Sequence, residues 1–155
     1  MTDLIISQNI LGFILKISDQ KYSSAIRSNS VLAISLLTYN ELLFDEIIKQ
    51  GVIDLIMNLC QDQNQDRTVQ EFSTLALVHF ALNKKSINIL IEKGVLDLFD
   101  TFGAGANQGQ EENVTISTNI SWIFLALCNN GITGSRMLYQ GITRDMFLVS
   151  CNPEY

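Results

Sequence analysis

Proline, histidine and paired cysteines are scarce in this chain. Proline occurs once among 155 residues, at Pro153, so almost the whole chain is free of the residue that interrupts helices. His79 is the only histidine, and Cys60, Cys128 and Cys151 form no CxxC pair. A zinc centre or a disulfide framework needs several such residues. We therefore expect no metal site and three reduced, buried cysteines.

Basic clusters and long apolar runs are also missing. The chain has ten Lys and Arg residues and sixteen Asp and Glu residues, which gives a net charge of −6. Its largest basic cluster is Lys84-Lys85. Nucleic-acid binding requires a basic surface, so it is not expected. The apolar run from Ile120 to Cys128 is too short to cross a bilayer, and the start, Met1-Thr2-Asp3, is not that of a signal peptide. We expect a cytoplasmic or cytoskeleton-associated protein that is neither secreted nor inserted in a membrane.

What the chain does contain is an internal repeat. The segment IKQGVIDLI around Gly51 returns as IEKGVLDLF around Gly94, 43 residues further on. A third copy surrounds Gly141, 47 residues later, and Asn9 fills the glycine position 42 residues before Gly51. A tight turn between helices needs positive φ, which glycine adopts freely and asparagine tolerates. These spacings fall in the range of solenoid repeats built from two or three helices.

Between the glycines, the same register carries apolar residues at helical spacing over Ile26–Thr38, Val69–Ala81 and Ile116–Cys128. This predicts three helices per repeat: a short one before the glycine, a medium one after it and a long one that closes the unit. The predicted medium helices are Ile10–Lys16, Val52–Cys60, Val95–Phe102 and Ile142–Val149. The chain is then one domain, 1–155, with repeats at about 1–40, 41–83 and 84–130 and a partial repeat at 131–155.

The repeat resembles the armadillo repeat family. The segment VQEFSTLALVHFA, from Val69 to Ala81, is similar to the third helix of that family, and GVIDLI after Gly51 is similar to its turn into the second helix. Trp122 stands where the family typically has tryptophan. The resemblance implies an all-α fold, a right-handed α-solenoid of three-helix repeats. A HEAT-like solenoid is the alternative, although HEAT repeats usually have two helices and a proline in the first.

In this family the third helices line a groove that binds proteins. Import adaptors of the family clamp an extended peptide with a ladder of Asn and Trp residues. Their Asn positions correspond to Leu36, His79 and Ala126, and their Trp positions to Leu32, Leu75 and Trp122, so one of six matches. The remaining groove residues are mostly apolar and suit a partner helix or a folded surface. The candidate partner-binding residues are Leu32, Leu36, Phe72, Leu75, His79 and Trp122 in the groove, with Met146, Phe147 and Val149 at an uncapped C-terminal end.

The resemblance and the missing catalytic residues together predict a non-enzymatic module for protein–protein interaction, an adaptor, scaffold or structural subunit of a multi-protein assembly such as an axoneme. No cofactor, small-molecule substrate or catalytic residue is expected. One alternative is a fragment of a nuclear-import-type cargo adaptor that binds basic peptides. Another is a small hydrolase or transferase, which would need a polar pocket joining His79 to a cysteine or a carboxylate.

Overall fold

The computed structural model describes residues 10–18, 21–62, 64–103 and 114–129. Within these ranges the regular structure is entirely helical, which confirms the expected all-α class for the described part of the chain. The helices are α1 Ile10–Ile17, α2 Ser24–Leu37, α3 Glu41–Lys49, α4 Val52–Gln61, α5 Arg67–Leu82, α6 Ile87–Glu92, α7 Asp97–Gly103 and α8 Val114–Asn129.

Helix lengths follow the predicted order of short, medium and long. The helices α3, α4 and α5 form one such unit, and α6, α7 and α8 form the next. The helices α1 and α2 supply the medium and long members of a preceding unit. All three long helices begin and end within two residues of the predicted bounds. The apolar periodicity and the repeat register therefore located these elements correctly.

The predicted glycine turns are confirmed at Gly51 and Gly94. Their φ angles are 73° and 78°, in the left-handed region that favours glycine. At Gly94 the glycine N–H donates to the carbonyl of Ile91, and the Val95 N–H donates to that of Leu90. This pair of bonds closes a helix end of the Schellman type. The corresponding turns expected at Asn9 and Gly141 lie outside the described residues.

Among the medium helices of the described ranges, α7 is the one whose start differs from its prediction. The helix α7 begins at Asp97 and not at Val95. The Asp97 N–H donates to the carbonyl of Gly94 at 3.0 Å, so residues 94–97 form a turn closed by an i→i+3 bond before the helix starts. After Gly51, by contrast, α4 starts at once with Val52.

Two helix starts are fixed by side chains that accept a backbone N–H. Asp66 caps α5 by accepting the Thr68 N–H at 2.9 Å, and Asn40 caps α3 by accepting the Leu42 N–H at 3.0 Å. Each bond satisfies one of the donors that a helix N-terminus leaves unpaired.

The long helices pack against one another in chain order, α2 on α5 and α5 on α8, while α1, α4 and α7 cover them. Between these layers lies one continuous apolar core. Phe44 of α3 meets Phe80 of α5 with ring centroids 5.7 Å apart, and Cys60 of α4 is fully buried. None of the helices in the described ranges is both long enough and apolar enough to span a membrane.

Candidate binding face

One side of each long helix is left uncovered. On α2 and α5 the uncovered positions fall at equivalent places in the repeat, whereas on α8 the exposed residue is Leu125 and the equivalent position, Ala126, is buried. We call this surface the long-helix face and define it by Leu32, Leu36 and Tyr39 at α2, Leu75, His79 and Leu82 on α5, and Trp122, Leu125 and Asn129 on α8. Spacings of three and four residues keep these side chains on one side of each helix.

The long-helix face is apolar and accessible. Leu36 is 58% exposed and Trp122 is 54% exposed, and the other exposed large apolar residues of the face are Tyr39, Leu82 and Leu125. Five of the nine large apolar residues that the described chain leaves exposed therefore belong to this one surface. Large apolar side chains grouped in this way are typical of interaction sites.

The other residues singled out from the sequence are less accessible. Leu32, Leu75 and His79 are half-buried. Phe72 is also half-buried and packs against the hydrophobic core, so it contributes to folding as well as to the surface. Ala126, at the position equivalent to Leu36 and His79, is buried. Met146, Phe147 and Val149, the candidates at the C-terminal end, lie outside the described residues.

Charged residues are absent from the face as defined and rare on the helices that form it. The helix α8 contains no Asp, Glu, Lys or Arg. The one charged residue of α2 is Arg27, whose guanidinium donates to the side chain of Gln65. At the N-terminal end of α5, Arg67 and Glu71 pair with each other at 3.3 Å. The long-helix face therefore presents no unpaired charge to a partner.

His79 ties α5 to α2. Its Nδ1 lies 3.0 Å from the carbonyl oxygen of Ser35, and its Nε2 lies 2.7 Å from the hydroxyl of Tyr39. A carbonyl can only accept, so we assign the proton to Nδ1; in the neutral ring Nε2 then accepts from the Tyr39 hydroxyl. The two rings lie 4.3 Å apart between centroids. Both ring nitrogens of His79 are thus engaged within the protein.

A cleft of about 390 Å³ opens beside this pair, where α2 and α5 end. It is lined by Thr38, Tyr39, Glu41, His79, Leu82, Asn83 and Lys84. The ion pairs of the described chain include neither Glu41 nor Lys84. The cleft therefore combines apolar walls, formed by Tyr39 and Leu82, with one acidic and one basic group that remain available.

The contacts of His79 are not those of a nucleophile and its base. His79 bonds the carbonyl oxygen of Ser35 and not its hydroxyl. The lining of the cleft contains no cysteine, and its one carboxylate, Glu41, is not bonded to His79, because both ring nitrogens bond Ser35 and Tyr39. Cys60 is fully buried on α4, and this burial raises the pKa of its thiol. Among the described residues, no group of three or more His, Cys, Asp and Glu side chains is placed to hold a metal ion.

Sequence reasoning missed Tyr39, Leu82 and Leu125. Tyr39 and Leu82 are separated by the same 43-residue shift that relates the two glycine turns, and each lies three residues beyond a position that was singled out, Leu36 or His79. Extending the helical spacing by one step would have identified both residues. The repeat register therefore already contained the signal.

Comparisons of the chain with protein-family models, with curated protein sequences and with solved structures find no match.

Proposed function

We propose that this chain is a non-enzymatic module for protein–protein interaction, an adaptor or structural subunit of a larger assembly, which binds a partner protein through the long-helix face. The helix order, the glycine turns and the packing of successive long helices support a right-handed α-solenoid of armadillo type. In such an array each unit buries its apolar surface against its neighbours and leaves one extended surface on the long helices.

The observation that carries this proposal is the combination of exposure and missing charge on the long-helix face. Leu36, Tyr39, Leu82, Trp122 and Leu125 expose large apolar side chains there. Burying such side chains against a partner yields roughly 25 cal/mol per Å² of apolar area before the costs of association. Aromatic residues such as Tyr and Trp are also frequent energetic centres of interfaces.

The proposal is tested by affinity capture from the native source with quantitative mass spectrometry, comparing the wild type with Trp122→Ala and Leu36→Lys. Both residues are exposed, so both variants should keep the melting temperature of the wild type within a few degrees. The same specific partner should be depleted about tenfold or more in both variants, which is the effect of losing a central interface residue.

Phe13→Ala is the matched control. Phe13 is 62% exposed, so it resembles Trp122 in size and accessibility, but it lies on α1, away from the long-helix face. The Phe13→Ala variant should capture the same amount of partner protein as the wild type. Equal depletion in Phe13→Ala and Trp122→Ala, or depletion that follows only the loss of melting temperature, would show that the long-helix face is not the binding surface. Recovery of a basic peptide-bearing cargo would instead support the import-adaptor alternative.

A further inference from the structure

The contacts between successive long helices have a fixed place in the repeat. Asn119 of α8 donates to the hydroxyl of Thr74 and to the carbonyl of Glu71 on α5. One unit earlier, His79 of α5 bonds the carbonyl of Ser35 on α2. Shifts of 43 and 47 residues carry each of these positions from one long helix to the next. Each long helix therefore has one side toward the preceding unit and another toward the following unit.

We define these two sides by their positions in the repeat. The rear side, toward the preceding unit, consists of Asn29 and Leu36 on α2, Phe72 and His79 on α5, and Asn119 and Ala126 on α8. The front side, toward the following unit, consists of Ser28, Val31 and Ser35 on α2, Glu71, Thr74 and Val78 on α5, and Thr118, Ser121 and Leu125 on α8. The interface between two units is formed by the front side of one long helix and the rear side of the next.

The burial of each side follows the presence of a neighbouring long helix. The front side is buried on α2, and on α5 its Thr74 and Val78 are buried, because another long helix follows in both cases. On α8, the last long helix of the described residues, all three front-side residues are exposed. The rear side shows the opposite order: it is buried on α8, half-buried on α5 and exposed on α2, the first long helix described. The rear side of α2 and the front side of α8 are therefore the two halves of one further interface of the same kind.

The polar groups on these two exposed sides match those of the interface between α5 and α8. Asn29 has both the position and the residue type of Asn119, and Ser121 supplies a hydroxyl at the position of Thr74. The Thr74 hydroxyl donates to a carbonyl of its own helix and still accepts from Asn119. The Ser121 hydroxyl likewise donates to a carbonyl of its own helix, at 2.9 Å, and keeps the capacity to accept. The front side of α8 can thus accept an asparagine amide as α5 does.

Apolar residues complete both exposed sides. Leu36 is 58% exposed on the rear side of α2, and Leu125 is 43% exposed on the front side of α8. The position of Leu125 is that of the buried Val78 on α5. Neither exposed side contains Asp, Glu, Lys or Arg. The two sides can therefore meet without the cost of removing a charge from water.

We propose that the front side of α8 binds the rear side of α2 in a second copy of this chain, so that copies stack head to tail. Asn29 of one copy then donates to the Ser121 hydroxyl and the Thr118 carbonyl of the other. Leu36 of the first copy packs beside Leu125 of the second. Because the two sides differ, each pair of copies still exposes one side of each kind, and association continues beyond a dimer. This self-association is separate from the proposed binding of a different protein.

The concentration at which copies associate follows from the size of the contact. A contact between two long helices is small beside a standard protein interface, so we expect a dissociation constant on the order of 100 µM. Sedimentation velocity of the full chain from about 10 µM to about 1 mM should show a weight-average mass that rises past that of a dimer.

The decisive test mixes two variants that each block one side. Leu36→Glu blocks the rear side of α2 and Leu125→Glu blocks the front side of α8, because burying an unpaired carboxylate should weaken the contact about tenfold or more. Each variant alone should stay monomeric. An equimolar mixture should give a dimer with one copy of each and nothing larger, since only one intact front side and one intact rear side remain.

Leu42→Glu is the matched control. Leu42 is 76% exposed on α3, in the unit that already has a neighbour on both sides. This variant should associate as the wild type does. Circular dichroism should show the same melting temperature for all three variants within a few degrees, because each replaces an exposed leucine.

The hydrogen bond between copies is tested within the mixed dimer. Asn29→Ala is added to the Leu125→Glu copy and Ser121→Ala to the Leu36→Glu copy. Each change should raise the dissociation constant of the mixed dimer about three- to tenfold, which is the effect of losing one hydrogen bond. Together the two changes should raise it by less than the product of the single effects, because they remove a shared contact.

Three results would overturn the proposal. A wild type that stays monomeric up to about 1 mM would exclude the contact at the expected strength. Dimerisation of Leu36→Glu or Leu125→Glu alone would mean that copies associate through the same surface on both chains. Association of the wild type without a mixed dimer from the two blocked variants would show that the front side of α8 and the rear side of α2 do not bind each other.

Discussion

Asn119 makes the contact between α5 and α8 partly polar. The side chain is 8% exposed, and its amide donates to the hydroxyl of Thr74 at 3.0 Å and to the carbonyl of Glu71 at 3.2 Å. Asn29 stands at the equivalent place on α2, where it is exposed. The same residue type therefore occupies one repeat position in a buried setting and in an accessible one.

Asn119→Ala should lower the free energy of unfolding by about 1–2 kcal/mol, since it removes one buried and one partly buried hydrogen bond. Asn29→Ala should change that free energy by less than about 0.5 kcal/mol. The gain in helix propensity from Asn to Ala is the same in both variants and cancels in the comparison. Urea denaturation followed by circular dichroism measures both values. Equal effects at the two positions would show that the Asn119 contacts add no stability.

The buried thiol of Cys60 makes the free energy of unfolding depend on pH in the alkaline range. Burial raises the pKa of its thiol above the ordinary value of about 8.5 that it regains in the unfolded chain. Above that pH the unfolded thiol loses its proton and the folded thiol keeps it. The unfolded state then binds fewer protons, so stability falls as pH rises, by at most about 1.4 kcal/mol per pH unit. Below pH 8 this contribution is fully present.

The measurement compares the wild type with Cys60→Ala, which lacks the titrating group. Between pH 8.5 and pH 10 the free energy of unfolding of the wild type should fall by about 1.5 kcal/mol relative to that of Cys60→Ala. Titration of lysines, tyrosines and the other cysteines affects both proteins alike and cancels. A difference that stays constant over this range would mean that Cys60 is not buried as a neutral thiol.

At the scale of the elements, the turns at Gly51 and Gly94 set the geometry between successive helices. Gly51→Ala should destabilise the fold by about 1–2 kcal/mol, because a Cβ is disfavoured at its φ of 73°. A Cβ at this position would meet only Asp54 Oδ2, at 3.8 Å, so the cost is conformational and not a clash. Gly51→Asn should cost less, since Asn tolerates positive φ. Thermal unfolding ranks the three proteins, and an Asn variant less stable than the Ala variant would contradict this account.

The long helices could be predicted well because their apolar periodicity repeats in three aligned copies. The exact helix starts could not: the long helices begin two residues before their predicted starts, and α7 begins two residues after its own, since the turn after Gly94 is a local backbone choice that periodicity does not record. On the long-helix face, Leu36 and Trp122 are exposed, as the sequence led us to expect. Tyr39 and Leu82 escaped prediction because they lie one residue beyond the predicted ends of the long helices, Thr38 and Ala81, so the helical spacing was not extended to them.

At the scale of the molecule, contacts that cross between successive units accompany the apolar packing. His79 reaches Ser35, and Lys85 and Lys93 reach Asp45 and Asp54 at 2.7 Å and 2.6 Å. The ion pairs are exposed, so each adds at most about 1 kcal/mol. These ion pairs between units therefore lie at the surface away from the long-helix face, and the face itself contains no charged residue.

Partner binding through the long-helix face should be nearly insensitive to ionic strength. At physiological concentrations salt screens the interaction between exposed charges over about 8–10 Å. Salt does not weaken the burial of apolar surface. The dissociation constant of the captured partner should change less than about threefold between 0.1 and 0.5 M NaCl. A basic peptide attracted to a chain of net charge −6 would instead be released steeply as salt rises. Steep release of the captured partner would favour the import-adaptor alternative, because only binding dominated by charge behaves in that way.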